Sequence, residues 1–467
     1  MLLVPPGKES PKVPYLLNLV YVVLIVLSLP WLLYQAVRKG KYREGFAEKF
    51  LGWTPRRTTT GPCVWFHAVS VGEMNLLGPL LRRIAEERPD WQCVVSTTTM
   101  TGMALAKKRY PHLTVFYCPL DFSWAVRAAM ARIRPAALVL AELELWPNLV
   151  RTAGESGARV AVINGRLSEH SFRGYCRIRP LVADLLRRID SICVQDEVYA
   201  QRFRRLGAPE GVVHVTGSMK YDGAETDRDN THTRQLASLA GFGDGDIVFL
   251  AGSTQEPEES VALEVYRQLR DRWPQLRLVI VPRHPDRFEA VARLLERSGL
   301  SWQRRTRLEA QGADPTARVL LVDAVGELGA WWGTARIAFV GGSMGSRGGQ
   351  NMIEPAAYGA AVCFGSNTRN FRDIVAAMLQ RDAAIVVRDQ DDLADFVRQC
   401  LEQPAFAAEL GRRARELVIS QLGATRRTFE RLTLLVGGTA DLASTPGEGT
   451  TVHVSIPRPY RQEADNG

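Results

Sequence analysis

FHAVSVGEMNLLGPL, residues 66–80, runs from an apolar strand through a short Ser-Val-Gly turn into a helix starting near Glu73. The strand does not alternate and His67 is its one polar residue, the mark of a strand covered on both faces in a parallel sheet. Similar runs are predicted as strands at Val64–Ala68, Gln92–Ser96, Thr114–Tyr117, Ala137–Ala141, Arg159–Ile163 and Ser191–Val194. Helical patterns such as Leu76–Glu86 and Phe122–Arg132 fit between them. Strands alternating with helices make an α/β layered domain.

Residues 224–246 are rich in Asp, Thr and Gly and read as a linker. The alternation then restarts, with strands predicted at Ile247–Ala251, Arg277–Val281, Val319–Val322, Ile337–Val340, Ala361–Phe364 and Ala384–Val387. Two Rossmann-like halves follow, residues 38–223 and 247–436, with a ligand cleft expected between them at the carboxyl ends of strands.

Val13–Val37 contains no charged residue, and at about 1.5 Å per residue it would span roughly 37 Å as a helix. Arg38 to Arg57 holds seven Lys/Arg against two Asp/Glu, while residues 1–12 hold only Lys8, Lys12 and Glu9. The positive-inside rule then makes residues 1–37 a tail and transmembrane anchor, with the body on the cytoplasmic side. The run is too long for a signal peptide, and no small-x-small cleavage site follows. Pro14, Pro30 and Asn18 leave an interfacial helix or hairpin as the alternative. The formal charge of +9 suits an anionic membrane face or a phosphate-bearing substrate. Without Lys/Arg runs interleaved with aromatics, nucleic acid is not an expected partner. Seven scattered cysteines with no C-x-x-C suggest a reducing compartment and neither a disulfide nor a metal framework.

The candidate chemistry lies at strand ends. Glu73 could accept a proton from an attacking hydroxyl, or simply complement its helix dipole. The dipole favours the anion, so desolvation or another carboxylate must oppose it if Glu73 is to act as a base. In AELELWPNL, residues 141–149, Glu142 and Glu144 end a strand, and alternation would put both on one face. They are either a functional acid pair or a solvated terminus. Lys220, in VTGSMKYD, either meets a negative group or is a solvated hinge lysine. Arg283, in VPRHPDR, is placed for a phosphate or carboxylate, and His284 reads as structural. In FVGGSMGSRGGQNMIEPAAYG, residues 339–359, a glycine-rich loop leads into a helix whose amides could hold a phosphate, with Glu354 available to ribose hydroxyls. The absence of G-x-x-x-x-G-K-[ST] excludes a P-loop ATPase.

HAVSVGE, ELELWPN, GSMKYD, AGSTQEPEE, PRHPDR and GGSMGSRGGQNMIEPAA together, in this order, resemble the bacterial 3-deoxy-D-manno-octulosonic acid (Kdo) transferases over about residues 38–430. The resemblance implies a GT-B fold and a metal-independent inverting glycosyltransferase that needs no cofactor. It implies CMP-Kdo as donor and a lipid A precursor, lipid IVA, as acceptor, at the cytoplasmic face of the inner membrane. It further implies Glu73 as general base, and Glu144 and Lys220 as transition-state aids. The CMP contacts it implies come from Pro282, Arg283, Val325, Gly326, Glu327, Asn351, Met352, Ile353 and Glu354. The chain departs from the family at Gln255 and Gln350, where histidine is usual, and at Val325, where methionine is common. Its tail, residues 437–467, resembles the last hairpin of histidine-kinase ATPase domains without the rest of such a domain. Another GT-B enzyme using a UDP-sugar, or a tethered binding protein, are the alternatives.

Overall fold

The computed structural model describes residues 12–39, 44–437, 439–445 and 449–455. Residues 1–11, the cluster members Lys41 and Arg43, and the tail segments 446–448 and 456–467 lie outside them. The chain divides into two compact units, Met1–Asp222 with Gly423–Gly467, and Gly223–Leu422.

The first unit is built on β1 (Cys63–His67), β2 (Gln92–Thr97), β3 (Thr114–Tyr117), β4 (Ala137–Ala141), β5 (Arg159–Gly165), β6 (Ser191–Val194) and β7 (Val213–Val215), in the order β3-β2-β1-β4-β5-β6-β7. All pairs are parallel. Apolar clusters cover both sheet faces, one around Trp65, Phe116 and Phe203, the other around Phe66, Met74 and Phe429. The fully buried pattern of β1 and β4 explains why their sequences do not alternate. Helix Val71–Glu87 buries Met74, Leu77, Leu81 and Ile84, one stripe at three- and four-residue spacing. Strand order reverses at β1 and β4, where His67 pairs with Leu140, so the loops after these two strands are neighbours.

The second unit repeats the plan with β8 (Ile247–Thr254), β9 (Leu276–Pro282), β10 (Trp302–Arg304), β11 (Val319–Leu321), β12 (Ile337–Val340), β13 (Ala361–Phe364) and β14 (Ile385–Val386), in the order β10-β11-β9-β8-β12-β13-β14. Here the reversal falls at β8 and β12, where Gly252 pairs with Val340. The loops after those strands, STQEPEE and GGSMGSRGGQN, are therefore neighbours too.

Three sequence expectations change. The 224–246 segment is no open linker: it contains helix Thr231–Leu239, capped by Asn230 and buried at Thr233 and Leu236, within the second unit. Helix Ala424–Val436, expected in the second half, belongs to the first unit, where Phe429 meets Trp91 at 6.5 Å between ring centres. The expected transmembrane span is not found: among the described residues no helix is long and apolar enough to cross a membrane. Helix Lys12–Lys39 instead has Asn18 buried against Ser123, while Leu27 is 73% exposed. The tail does form a hairpin, β15 (Thr439–Thr445) antiparallel to β16 (Gly449–Ser455).

Candidate active site

Glu73 opens helix Val71–Glu87 at the carboxyl edge of β1 and is 7% exposed. Ser70 caps this helix by accepting the Glu73 amide, and its hydroxyl donates to Glu73 Oε1 at 2.7 Å. The Val69 amide donates to Oε2 at 2.8 Å. This resembles a capping box, except that the carboxylate accepts the amide one residue before the cap instead of the cap's own. Burial nevertheless raises the Glu73 carboxyl above its ordinary value; the Ser70 and Val69 hydrogen bonds oppose the rise, and the Glu142 and Glu144 charges add to it. Desolvation and neighbouring carboxylates thus outweigh the two hydrogen bonds, a balance that favours a base.

Glu142 does not continue the strand. β4 ends at Ala141, and Glu142 takes a left-handed φ of 57°, so the alternation expected for Glu142 and Glu144 fails. The turn aims Glu142 into an ion-pair set, with Arg166 Nε at 2.7 Å and Lys220 Nζ at 3.0 Å. Lys220 is therefore not a free hinge lysine. Asn164 helps to seat it, accepting the Met219 amide on Oδ1 at 3.0 Å. Burial raises the Glu144 carboxyl; a hydrogen bond from Trp146 Nε1 opposes this, and the Glu142 charge reinforces it. His67 lies fully buried at the end of β1, edge-on to the Trp146 ring, with burial lowering its imidazole to about 4.

In the second unit the glycine-rich loop departs from expectation. The Gly342, Ser343 and Met344 amides all donate to Glu258, at 2.7, 2.9 and 2.9 Å, and the Gln255 amide adds a fourth bond at 2.9 Å. A carboxylate of the chain already occupies the amide cradle that was expected to hold a phosphate. A Cβ on Gly341 would stand 2.7 Å from Glu258 Oε2, so glycine is required there. Asn367, Arg369 and Asn370 hold the loop's far side through the carbonyls of Gly345, Ser346 and Arg347.

Beside this loop lies a cleft of about 390 Å³. Gln255, His284, Arg287 and Arg347 are among its lining residues. The side chains of Gln255 and Gln350, the two positions where histidine was expected, converge on Gly342. Arg287 is held by Glu256 and Glu259. Burial raises the Glu354 carboxyl, against the Asn351 hydrogen bond at 3.0 Å and the charge of Arg283. Helix Ile353–Ala357 has only five residues, which leaves little dipole for an anion. Met352 and Ile353 are buried, leaving only their backbone for a ligand. Glu327 is committed to Arg305, bidentate at 2.8 Å, and to Trp331. Gly326 turns at φ 94° and Val325 is 77% exposed.

Arg166 and Asn164 lie in none of the quoted motifs, and Glu258, inside AGSTQEPEE, carries no assigned role there. The signal that could have found Glu258 is topological: loops leaving paired neighbouring strands must meet.

Two doubly wound parallel sheets, one with acids at its switch point and the other with a cleft beside its glycine-rich loop, make a GT-B-like α/β fold. The UDP-GlcNAc 2-epimerase of Neisseria meningitidis, solved bound to UDP-GlcNAc, shares this fold, with a TM-score of 0.52 and 14% identity over 79% of this chain and 99% of that one. The family model for 3-deoxy-D-manno-octulosonic-acid transferase (kdotransferase) matches residues 43–223. The 3-deoxy-D-manno-octulosonic acid transferase of Chlamydophila psittaci is 30% identical over 427 residues, 91% of this chain and 97% of that protein. Its counterpart from Bordetella pertussis is 32% identical over 413 residues, 86% of this chain and 94% of that protein. The chain belongs to the Kdo transferase family and is a glycosyltransferase.

Proposed function

We propose that this enzyme moves Kdo from CMP-Kdo to a sugar hydroxyl of lipid IVA with inversion, and that Glu73 is the general base. The acceptor oxygen attacks the anomeric carbon of Kdo as the bond to the CMP phosphate breaks. The bonding pair leaves with CMP, and the hydroxyl proton passes to Glu73. A single observation carries this reading: a carboxylate beside the first switch point, 7% exposed and raised by burial, with two further acids close enough to add to the rise. The Ser70 and Val69 hydrogen bonds hold it in one rotamer, which favours a fixed geometry for proton transfer. Glu144 offsets positive charge on the oxocarbenium-like sugar, and Lys220 works through Glu142.

On the donor side, Arg283 neutralises phosphate charge, with Glu354 and Asn351 toward the ribose. Pro282 and the turn Val325-Gly326-Glu327 shape the nucleotide pocket, and Met352 and Ile353 contribute backbone groups. The cleft by Arg347 is sized for the sugar acid. Membrane attachment follows a different route from a spanning helix. Phe46, Trp53 and Trp124 are exposed, as are Leu19, Leu24 and Leu27 of helix Lys12–Lys39, side chains suited to the lipid interface on the cytoplasmic side.

The test is incubation with lipid IVA and CMP-Kdo, then mass spectrometry of the lipid, with UDP-sugars as competitors. Kdo addition that Glu73→Gln abolishes supports the reading. Transfer from a UDP-sugar alone, or an undiminished Glu73→Gln variant, ends it.

A further inference from the structure

Helix Pro147–Glu155, which follows the acid turn, has no cap of its own, because Trp146 offers no oxygen at the cap position. Asp121, in the connection after β3, supplies one from elsewhere in the chain. Its Oδ2 accepts the Asn148 amide at 3.0 Å and its Oδ1 the Leu149 amide at 2.8 Å. The same Oδ2 accepts the Tyr21 hydroxyl at 2.9 Å. Helix Ser123–Ile133 is likewise uncapped at Phe122. Asn18 completes it, accepting the Ser123 amide at 3.0 Å and donating to the Ser123 hydroxyl at 2.8 Å. Asn148 Nδ2 also donates to Asn18 Oδ1 at 3.5 Å.

Asn18 and Tyr21 stand one turn apart on helix Lys12–Lys39. One turn of an otherwise apolar helix therefore reaches the amino ends of two helices in the body. Asn18 and Asp121 are 7% and 5% exposed, so each depends on these bonds to offset its desolvation. Moving the helix would leave Asp121 without the Tyr21 hydroxyl and Ser123 without its partner. Trp146 precedes Pro147 directly and donates to Glu144, so the capped end and the acid turn are mechanically continuous.

We propose that Asn18 and Tyr21 are positioning residues: they latch the N-terminal helix to Asp121 and Asn148, and the latch holds the Glu142–Glu144 turn in its reactive arrangement. An apolar surface that draws the helix away would release the turn. This rests on the role given above to Glu144.

The experiment uses the full-length chain and its Tyr21→Phe and Asn18→Ala variants. Hydrogen exchange is followed at the Asn148 and Leu149 amides, alongside kcat with lipid IVA, KM for CMP-Kdo and the melting temperature. The latch predicts faster exchange at these amides and a loss of about tenfold in kcat for Tyr21→Phe, with donor KM unchanged. Unchanged exchange overturns it. So does faster exchange with a wild-type kcat, or a kcat loss that merely follows the unfolded fraction. Glu144→Gln is run in parallel: if its kcat equals wild type, the role of Glu144 fails, while the exchange result still decides whether the latch exists.

Discussion

Glu73 and Glu258 are both buried carboxylates that accept backbone amides, yet they are built for opposite ends. Glu73 has two donors and a raised carboxyl, and Glu258 accepts four backbone amides that fix the loops around it. Replacing Glu73 by Gln should lower kcat by about 10²–10⁴-fold, the range of general-base catalysis, with little change in KM for CMP-Kdo. Because the Glu73 carboxyl is raised and must be ionised to act, activity should fall as pH drops through a value above the ordinary carboxylate range. A pH–rate profile whose acid limb lies within that ordinary range contradicts this. Glu258→Gln should instead act on stability. Its Nε2 would confront amide donors, and losing two charge-assisted bonds should cost about 3 kcal/mol, readable by chemical denaturation. Some of this was legible in the residues. Glu73 stood out because an acid opens the helix that follows an apolar strand and a short Ser-Val-Gly turn, which is a local pattern. Glu258 did not, because three of its four partners lie over eighty residues away, and Glu142 misled because its left-handed φ leaves no trace in sequence.

Among the elements, most strands were readable, including the edge strands β3 and β14, and two short edges were not. β7 and β10 have three residues each, Val-His-Val and Trp-Gln-Arg, too few and too polar for a periodic signal, and both lie at sheet edges. The glycine-rich loop was recognised as an element but not as one filled by its own chain. Its outer side depends on Asn367, Arg369 and Asn370, so Asn370→Ala should loosen it and raise KM for CMP-Kdo several-fold while leaving kcat near wild type. Steady-state kinetics with varied donor checks this. Gln255 and Gln350 meet at Gly342, so introducing histidine at both should make donor KM depend on pH near 6.5, a dependence the wild type should lack there. A pH-independent KM in the double variant would count against their lying beside the donor.

On the scale of the whole molecule, the two α/β halves were legible from strand–helix alternation, but their boundaries were not. Residues from about 402 to 436 read as largely helical, which does not say which sheet the last of them cover. The answer comes from Phe429 on Trp91, and from Asp222, whose carboxylate accepts the amides of Gly423 and Thr425. A chain ending at Gly437 should keep the melting temperature of the full-length protein. One ending at Leu422 should lose the first unit's cooperative unfolding, because Phe66, Leu77 and Leu80 share a core with Phe429 and Leu432.

The crossing of Asp222 with Gly423 also sets an order of events during synthesis. The ribosome releases residues 223–422 before the stretch that completes the earlier body. The later-numbered globule can therefore close while the earlier one still waits, open along one side, for its final segment. Nascent chains arrested short of residue 436 should engage chaperones through that open side, and release should coincide with emergence of the last helical turn.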